Sequence, residues 1–535
     1  MSSVRVQADR KTGKMLHDKN WLSYDFYNWI ETKDLPVCDR LHSRCSYNLL
    51  AEAIRKYPSM VLAGIRYYPR GAYEEEGKPP LNNLPAFYEV DIVEQIGKDR
   101  YGEIRVYLPL CWNGDFMGIA GAGTNLEFDW CLLQTTNLTT WPIAVKNGYA
   151  CAVTNGGTGT FDFEWGFLKD GSPDWTLIRH WAFDGTHTMT LAGKAIVEAA
   201  YGVSIRHSYM HGTSGGGRQV IVEAQKYPED YDGLWADGPG YDCYNLMFSI
   251  LWAPVVFHNE KHKVPVSKFR AVYDHIRTCS RCISMGPFDL KSASWVQFVR
   301  SLVGLETPDG PISPDDLAVM LKVWCGPCLS DGSRITYGFG PEIAQWAIGP
   351  RDFGCLLEDD KGDLVIMPVA LQCMRWIAHD PDLDISRLSY SDFEQLYYDH
   401  RKEFADYSFY ESDINEFTRR GGKLMITHGT GDPIVPSQLT VDYYRKVLRD
   451  YSSETEMNRN FRIFLLKDAG HALYDWTGPN VTNASGMEAL IRWVEEDDPP
   501  EWVDTLFYDF EEDRMIEEDK TQAFSLWQWR KHYGK

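Results

Sequence analysis

No run of apolar residues in this chain is long enough to cross a bilayer. A spanning helix needs about 20 such residues, and the longest candidate, Leu246 to Phe257, is about half of that. The opening segment, Met1 to Arg10, lacks the apolar core of a secretory leader, so a cytoplasmic chain is expected. Basic residues are also short: 54 Lys and Arg stand against 76 Asp and Glu, a net charge of −22. Such a surface repels phosphates, and no Lys/Arg cluster compensates, so neither nucleic acid nor membrane is an expected partner. Twelve cysteines in 535 residues are too few and too scattered for a disulfide scaffold. The sequons at Asn137, Asn480 and Asn483 are accordingly read as coincidental. Internal repeats and low-complexity runs are absent as well.

What remains is an ordinary globular composition, 44% hydrophobic and 24% charged, with length enough for two to four domain-sized units. After an N-terminal extension of about 100 residues, with a helical pattern at Tyr47 to Lys56 and a turn-rich excursion at Arg70 to Asn83, a regular alternation begins. Strands are expected at Ile104 to Leu108, Phe116 to Ala120, Ala150 to Val153 and Ser208 to His211. Helices are expected at Thr186 to Tyr201, stopped by Gly202, and at Gly217 to Tyr227, stopped by Pro228. From Tyr241 to Tyr410 the rhythm breaks into short helices (Pro314 to Trp324, Tyr390 to Phe404) and Asp-Gly turns. It then resumes with Lys423 to Thr427 as strand, Gln438 to Leu448 as helix, Phe461 to Leu466 as strand and Ser485 to Glu496 as helix. The expected architecture is α/β, a mostly parallel sheet in a core formed by 1–240 and 411–500, interrupted by a large inserted lid domain at 241–410. Residues 501–535, acidic and then aromatic, form a C-terminal extension to which the sequence gives no role.

His211-Gly212-Thr213-Ser214-Gly215-Gly216-Gly217 contains the G-x-S-x-G pattern. Its physical content is a strand-to-helix turn so sharp that only glycines fit beside the serine. The hydroxyl is thereby exposed, and the Gly215 N–H faces a developing oxyanion. A serine hydroxyl is a weak nucleophile at neutral pH and needs a base oriented by an acid. In the α/β-hydrolase fold these follow in chain order on loops after late strands. Asp432, after the Lys423 strand, and His471, after the Phe461 strand, satisfy that order. Alone, an Asp before Pro reads as a turn residue and a His after a strand as structural; the topology reverses those odds. His428 and His211 are the rival bases. A second oxyanion donor is expected from Gly121-Ala122-Gly123-Thr124, at Gly123 and Thr124, with an ordinary turn as the alternative.

The run Tyr201-Gly202 through Ser214 to Gln219 and on to Tyr227-Pro228-Glu229-Asp230-Tyr231-Asp232-Gly233 resembles the tannase/feruloyl esterase family. So do Leu84-Pro85-Ala86-Phe87, Trp112-Asn113-Gly114, Gly421-Gly422-Lys423-Leu424, His428 to Pro433 and Asp442-Tyr443-Tyr444. The resemblance spans roughly residues 38 to 500. It implies an α/β-hydrolase core whose lid supplies much of the pocket, hydrolysis of esters of aromatic, often phenolic, acids, and Ser214, Asp432 and His471 as triad.

Departures are specific. The family usually joins two cysteines beside the serine and histidine, where this chain has Thr213 and Ala472; its cysteine after Ala-Phe is Tyr88 here. A chain in a reducing compartment could not rely on such bridges. The family's calcium loop corresponds to Cys279 to Gly286, which has almost no oxygen ligands, so no calcium is expected. Cys279/Cys282 and Cys325/Cys328 instead offer two C-x-x-C pairs, a candidate Cys₄ structural zinc site, with unliganded thiols as the alternative. Trp324-Cys325-Gly326-Pro327-Cys328 spells a thioredoxin-like motif, but the helical pattern before it disfavours redox catalysis.

The sequence therefore points to a serine carboxylic ester hydrolase needing no catalytic cofactor and acting on a small aromatic ester. Acyl transfer or carbon–carbon hydrolysis on the same triad, and a non-catalytic binding protein of the same fold, are the alternatives. A metal-dependent hydrolase is disfavoured, because no His/Asp ligand cluster stands out in the sequence.

Overall fold

The computed structural model describes residues 30–73, 81–121, 141–158, 163–240, 242–278, 288–344, 355–359, 361–407, 411–471, 480–509 and 514–526. The strands in chain order are β1 (Met60–Tyr68), β2 (Gly71–Tyr73), β3 (Leu81–Leu84), β4 (Phe87–Ile96), β5 (Arg100–Pro109), β6 (Phe116–Ile119) and β7 (Ala150–Thr154). They continue with β8 (Ser208–Thr213), β9 (Gly233–Asp237), β10 (Lys423–Gly429), β11 (Phe461–Leu466), β12 (Asn480–Val481), β13 (Trp502–Asp509) and β14 (Arg514–Gln522). A nine-stranded sheet runs in the order β1-β4-β5-β7-β6-β8-β9-β10-β11. From β7 to β11 every pairing is parallel, while β1, β4 and β5 add antiparallel pairings at one edge.

The central strands β8, β9 and β10 are buried along their whole length, as parallel strands covered on both faces must be. Alternation along them divides the core in two. Met210, Leu234 and Ile426 enter one apolar cluster; Tyr209, Trp235 and Met425 enter another on the opposite face. The helix Gly185–Tyr201 lies on the first face, its Ile196 and Val197 fully buried, and it stops at Gly202 in the left-handed conformation, φ 71°. Helix Asn483–Glu496 covers the other face through Leu490 and Trp493.

After β9 the chain leaves the sheet and returns at β10. Between them the described residues form helices and turns with isolated bridges. Ser313 and Ser389 start two of these helices with reciprocal capping boxes to Asp316 and Asp392. The insertion packs by aromatic contact: Phe248 and Trp252 meet Phe393 at ring-centroid distances of 5.0 and 5.4 Å, and Trp376 meets Trp165 at 4.7 Å.

Two stretches depart from what the sequence predicts. The turn-rich excursion contains a short antiparallel pair, β2 with β3. The acidic tail forms a hairpin, β13 with β14, which joins β12 in a three-stranded sheet. Asn480, in one sequon, is buried within that sheet; Asn137, in another, lies outside the described residues. Among the described residues no helix is long and apolar enough to cross a membrane.

Candidate active site

Strand β8 delivers Ser214 to the carboxyl edge of the sheet, where helix Gly215–Lys226 begins. The serine sits at φ 58°, ψ −117°, a conformation costly for a residue with a Cβ. Its neighbours explain how the turn is tolerated. A Cβ on Gly212 would lie 2.4 Å from the Gly216 carbonyl oxygen, and one on Gly216 would lie 2.1 Å from that of Gly121. Any side chain at either position drives the turn apart. The Ser214 N–H donates to the Asp237 carbonyl at 2.8 Å, tying the turn to the end of β9.

The three residues singled out in the sequence meet here. His471, after β11 and 2% exposed, places Nε2 2.9 Å from Ser214 Oγ. Its Nδ1 lies 2.7 Å from Asp432 Oδ2. Asp432, on the loop after β10, accepts the N–H groups of Ile434 and Val435 on Oδ1, both at 2.8 Å. Burial pushes this carboxyl up, but the charge of His471 and hydrogen bonds from His428 and His471 outweigh it, holding Asp432 well below the usual carboxylate range. The acid therefore stays ionised at neutral pH, as orientation of an imidazole by its Nδ1–H requires.

The rival histidines have other occupations. His428 is fully buried and points at the acid, not the serine. Its Nε2 faces the Val435 carbonyl at 2.9 Å and Asp432 Oδ2 at 3.2 Å. Two acceptors on one nitrogen require that nitrogen to carry a hydrogen. His428 Nδ1 meets the Thr440 hydroxyl at 2.6 Å. His211 is buried against Trp235, ring centroids 4.0 Å apart, and burial lowers it to about 3.

Two further residues shape the site without having been singled out. Gln219 accepts the Gly121 N–H on Oε1 at 2.9 Å, fixing the loop after β6. That amide is thus committed to Gln219; Gly123 and Thr124 lie outside the described residues, and Gly215 stands at the helix start beside the serine. Asp237, fully buried at the end of β9, forms the second. Trp235 Nε1 donates to Thr427 Oγ1 at 2.9 Å, so the Thr427 hydroxyl donates in turn to Asp237 Oδ1, at 2.5 Å. Asp237 Oδ2 has no hydrogen-bond partner among the described residues. Burial pushes this carboxyl up to about 6, with the Thr427 hydrogen bond opposing. Its position at the carboxyl end of a central strand, where open α/β sheets carry their sites, is the signal that could have found it.

A small cleft lies beside the acid, lined by Phe288, Phe339, Thr430, Asp432, Pro436, Ser437 and Gln438. Of the four cysteines considered for zinc, Cys279 and Cys282 lie outside the described residues. Cys325 ends helix Pro314–Cys325, and burial pushes its thiol up; Cys328 is exposed. The motif thus follows a helix, at its negative end, where a thiolate is not favoured.

Residues 95–282 and 306–533 match the profile of the family described as tannase and feruloyl esterase. A probable feruloyl esterase of Arthroderma benhamiae is 27% identical over 421 residues, 74% of each chain. Feruloyl esterase B of Aspergillus niger is 24% identical over 425 residues, 74% of this chain and 75% of that one. Among solved structures, tannin acyl hydrolase from Aspergillus niger superposes with a TM-score of 0.72 at 17% identity, covering 92% of this chain and 93% of that one. Feruloyl esterase B from Aspergillus oryzae gives 0.69 at 17% identity, covering 90% and 96%. The superpositions establish the α/β-hydrolase fold, and the profile match over most of the sequence places this chain in the tannase and feruloyl esterase family, as a carboxylic ester hydrolase.

Proposed function

We propose that the chain hydrolyses esters of aromatic, phenolic-type carboxylic acids through an acyl-enzyme on Ser214. The observation that carries this reading is the continuous relay from Ser214 Oγ to His471 Nε2, at 2.9 Å, and from His471 Nδ1 to Asp432 Oδ2, at 2.7 Å. His471 takes the hydroxyl proton as Ser214 Oγ attacks the ester carbonyl. The carbonyl electrons move onto oxygen, and the Gly215 N–H at the helix start, with the loop after β6, stabilises that charge. Collapse of the tetrahedral species expels the alcohol, which takes the proton back from His471. Water then repeats the sequence on the acyl-enzyme, releasing the acid and restoring Ser214.

The aromatic acyl group is supported by kinship: relatives and fold neighbours carry the names feruloyl esterase and tannin acyl hydrolase. Intact-mass analysis during incubation with methyl esters of phenolic acids tests both parts. The expected result is an acyl adduct on the wild type and none on Ser214→Ala. Turnover of simple alkanoate esters alone, with no phenolic ester consumed, overturns the substrate class; equal turnover by Ser214→Ala overturns the mechanism.

A further inference from the structure

Two helices of the insertion, Pro368–Ala378 and Tyr390–Asp399, end close together on its surface. Each terminates in a histidine. His379 caps the first in the left-handed conformation, φ 52°, and His400 caps the second. Helix C-termini concentrate unpaired carbonyls and partial negative charge, which favours a cation at such a junction.

The side chains there converge. His379 Nε2 and His400 Nδ1 lie 3.1 and 3.2 Å from the same oxygen, Oε2 of Glu403. The two imidazoles lie against each other, centroids 4.3 Å apart and 35° between planes. One carboxylate oxygen within hydrogen-bonding reach of two ring nitrogens is also an arrangement that three ligands of one cation can adopt. The separations agree: ligands about 2.0–2.2 Å from one ion stand about 3.0–3.5 Å apart at octahedral to tetrahedral angles. All three ligand atoms lie within 4.8 Å of one another. Trp175 packs against His379 in a T-shaped contact, ring centroids 6.1 Å apart. Side-chain exposures of 34%, 24% and 38% for His379, His400 and Glu403 leave the cluster open to an arriving ion.

We propose that His379, His400 and Glu403 form a binding site for a divalent transition-metal ion of the zinc class, which ties together the ends of these two helices. Two imidazoles and one carboxylate suit zinc in preference to calcium or magnesium, which take oxygen ligands. The remaining coordination positions face water. The ion's role is structural: Trp376, on the first helix, and Phe404, just beyond His400, both line the apolar cavity between the insertion and the core.

Native mass spectrometry of the full chain, stripped with chelator and titrated with zinc chloride, counts the ions bound. The wild type is expected to hold one zinc ion more than the His379→Ala/His400→Ala variant. Zinc is expected to raise the wild-type melting temperature by about 2–4 °C more than that of the variant. Counting the difference between the two proteins keeps any zinc on cysteines or on the triad out of the result. Cobalt(II) adds a signature: d–d absorption without thiolate charge transfer, lost in the double variant. Glu403→Gln, which keeps the side-chain shape, is expected to weaken zinc binding at least tenfold while ester hydrolysis continues at the wild-type rate. Equal stoichiometry in wild type and double variant overturns the proposal, as does zinc affinity in Glu403→Gln equal to that of the wild type.

Discussion

His428 Nε2 donates to the same carboxylate oxygen of Asp432, at 3.2 Å, that accepts His471 Nδ1 at 2.7 Å. One oxygen therefore serves two imidazoles, and only one of them reaches the serine. The consequence is a division of labour around Asp432. Its Oδ1 is pinned by the Ile434 and Val435 amides, and its Oδ2 is held in line with His471 by His428.

Asp432→Asn is expected to lower kcat by about 10⁴-fold, because an amide in this position favours the wrong His471 tautomer. His428→Ala is expected to cost about tenfold, the loss of one hydrogen bond to a charged group. The sign of its pH effect follows from Asp432. His428 helps depress that carboxyl, so removing it leaves Asp432 a stronger acceptor for the His471 Nδ1–H. The imidazolium is then held more tightly, and the acid limb of kcat/KM, which reports the base, moves to higher pH. An acid limb unchanged in His428→Ala would show that His428 only fills space.

Asp237 is displaced in the opposite direction, and its effect on stability has the opposite sign. Its folded-state value, raised to about 6 from an ordinary 3.8, means the folded protein prefers the neutral acid. The penalty is absent below the unfolded value, grows as pH rises through that window, and is complete above about 6. Asp237→Asn keeps an acceptor for the Thr427 hydroxyl and removes the charge. The variant is expected to be more stable than wild type at pH 8, by up to roughly 3 kcal/mol. At pH 4 the two are expected to unfold alike. Denaturant unfolding at both pH values provides the check, and a variant less stable than wild type at pH 8 sinks the reading.

The strands before Ser214 and Asp432 were legible because they are buried along their whole length and end in loops rich in glycine; β11, before His471, is an edge strand and only partly buried. Phe461 to Leu466 and Gln438 to Leu448 fall where the apolar pattern puts them. The tail hairpin was not legible. Its strand β14 reads Arg-Met-Ile-Glu-Glu-Asp-Lys-Thr-Gln, and Glu518, Asp519 and Lys520 are exposed, so no period of two in hydrophobicity marks it. The site showed the same divide. Ser214, Asp432 and His471 announce themselves by motif and chain order. The environment of Asp237 does not, because its hydrogen-bond partner Thr427 is 190 residues away and becomes adjacent only when β9 pairs with β10.

The geometry of the turn at Ser214 depends on the missing side chain of Gly216 and on the amide of Gln219. Gly216 lies against the Gly121 carbonyl, and Gln219, one helical turn on, accepts the N–H of the same Gly121. Helix Gly215–Lys226 thus grips the loop after β6 by one steric contact and one hydrogen bond. Gly216→Ala inserts a Cβ 2.1 Å from the Gly121 oxygen, so the loop or the helix start must shift. A displacement near 1 Å between nucleophile and oxyanion donors costs on the order of 100-fold in kcat. Gln219→Leu keeps the volume and removes only the acceptor, so its loss is expected to be smaller, about tenfold, and to fall on kcat instead of KM. Burst kinetics with an activated aromatic ester separate the steps: both variants are expected to acylate slowly, with adduct still forming on Ser214. If Gln219→Leu instead acylates at the wild-type rate, the loop after β6 takes no part in stabilising the oxyanion.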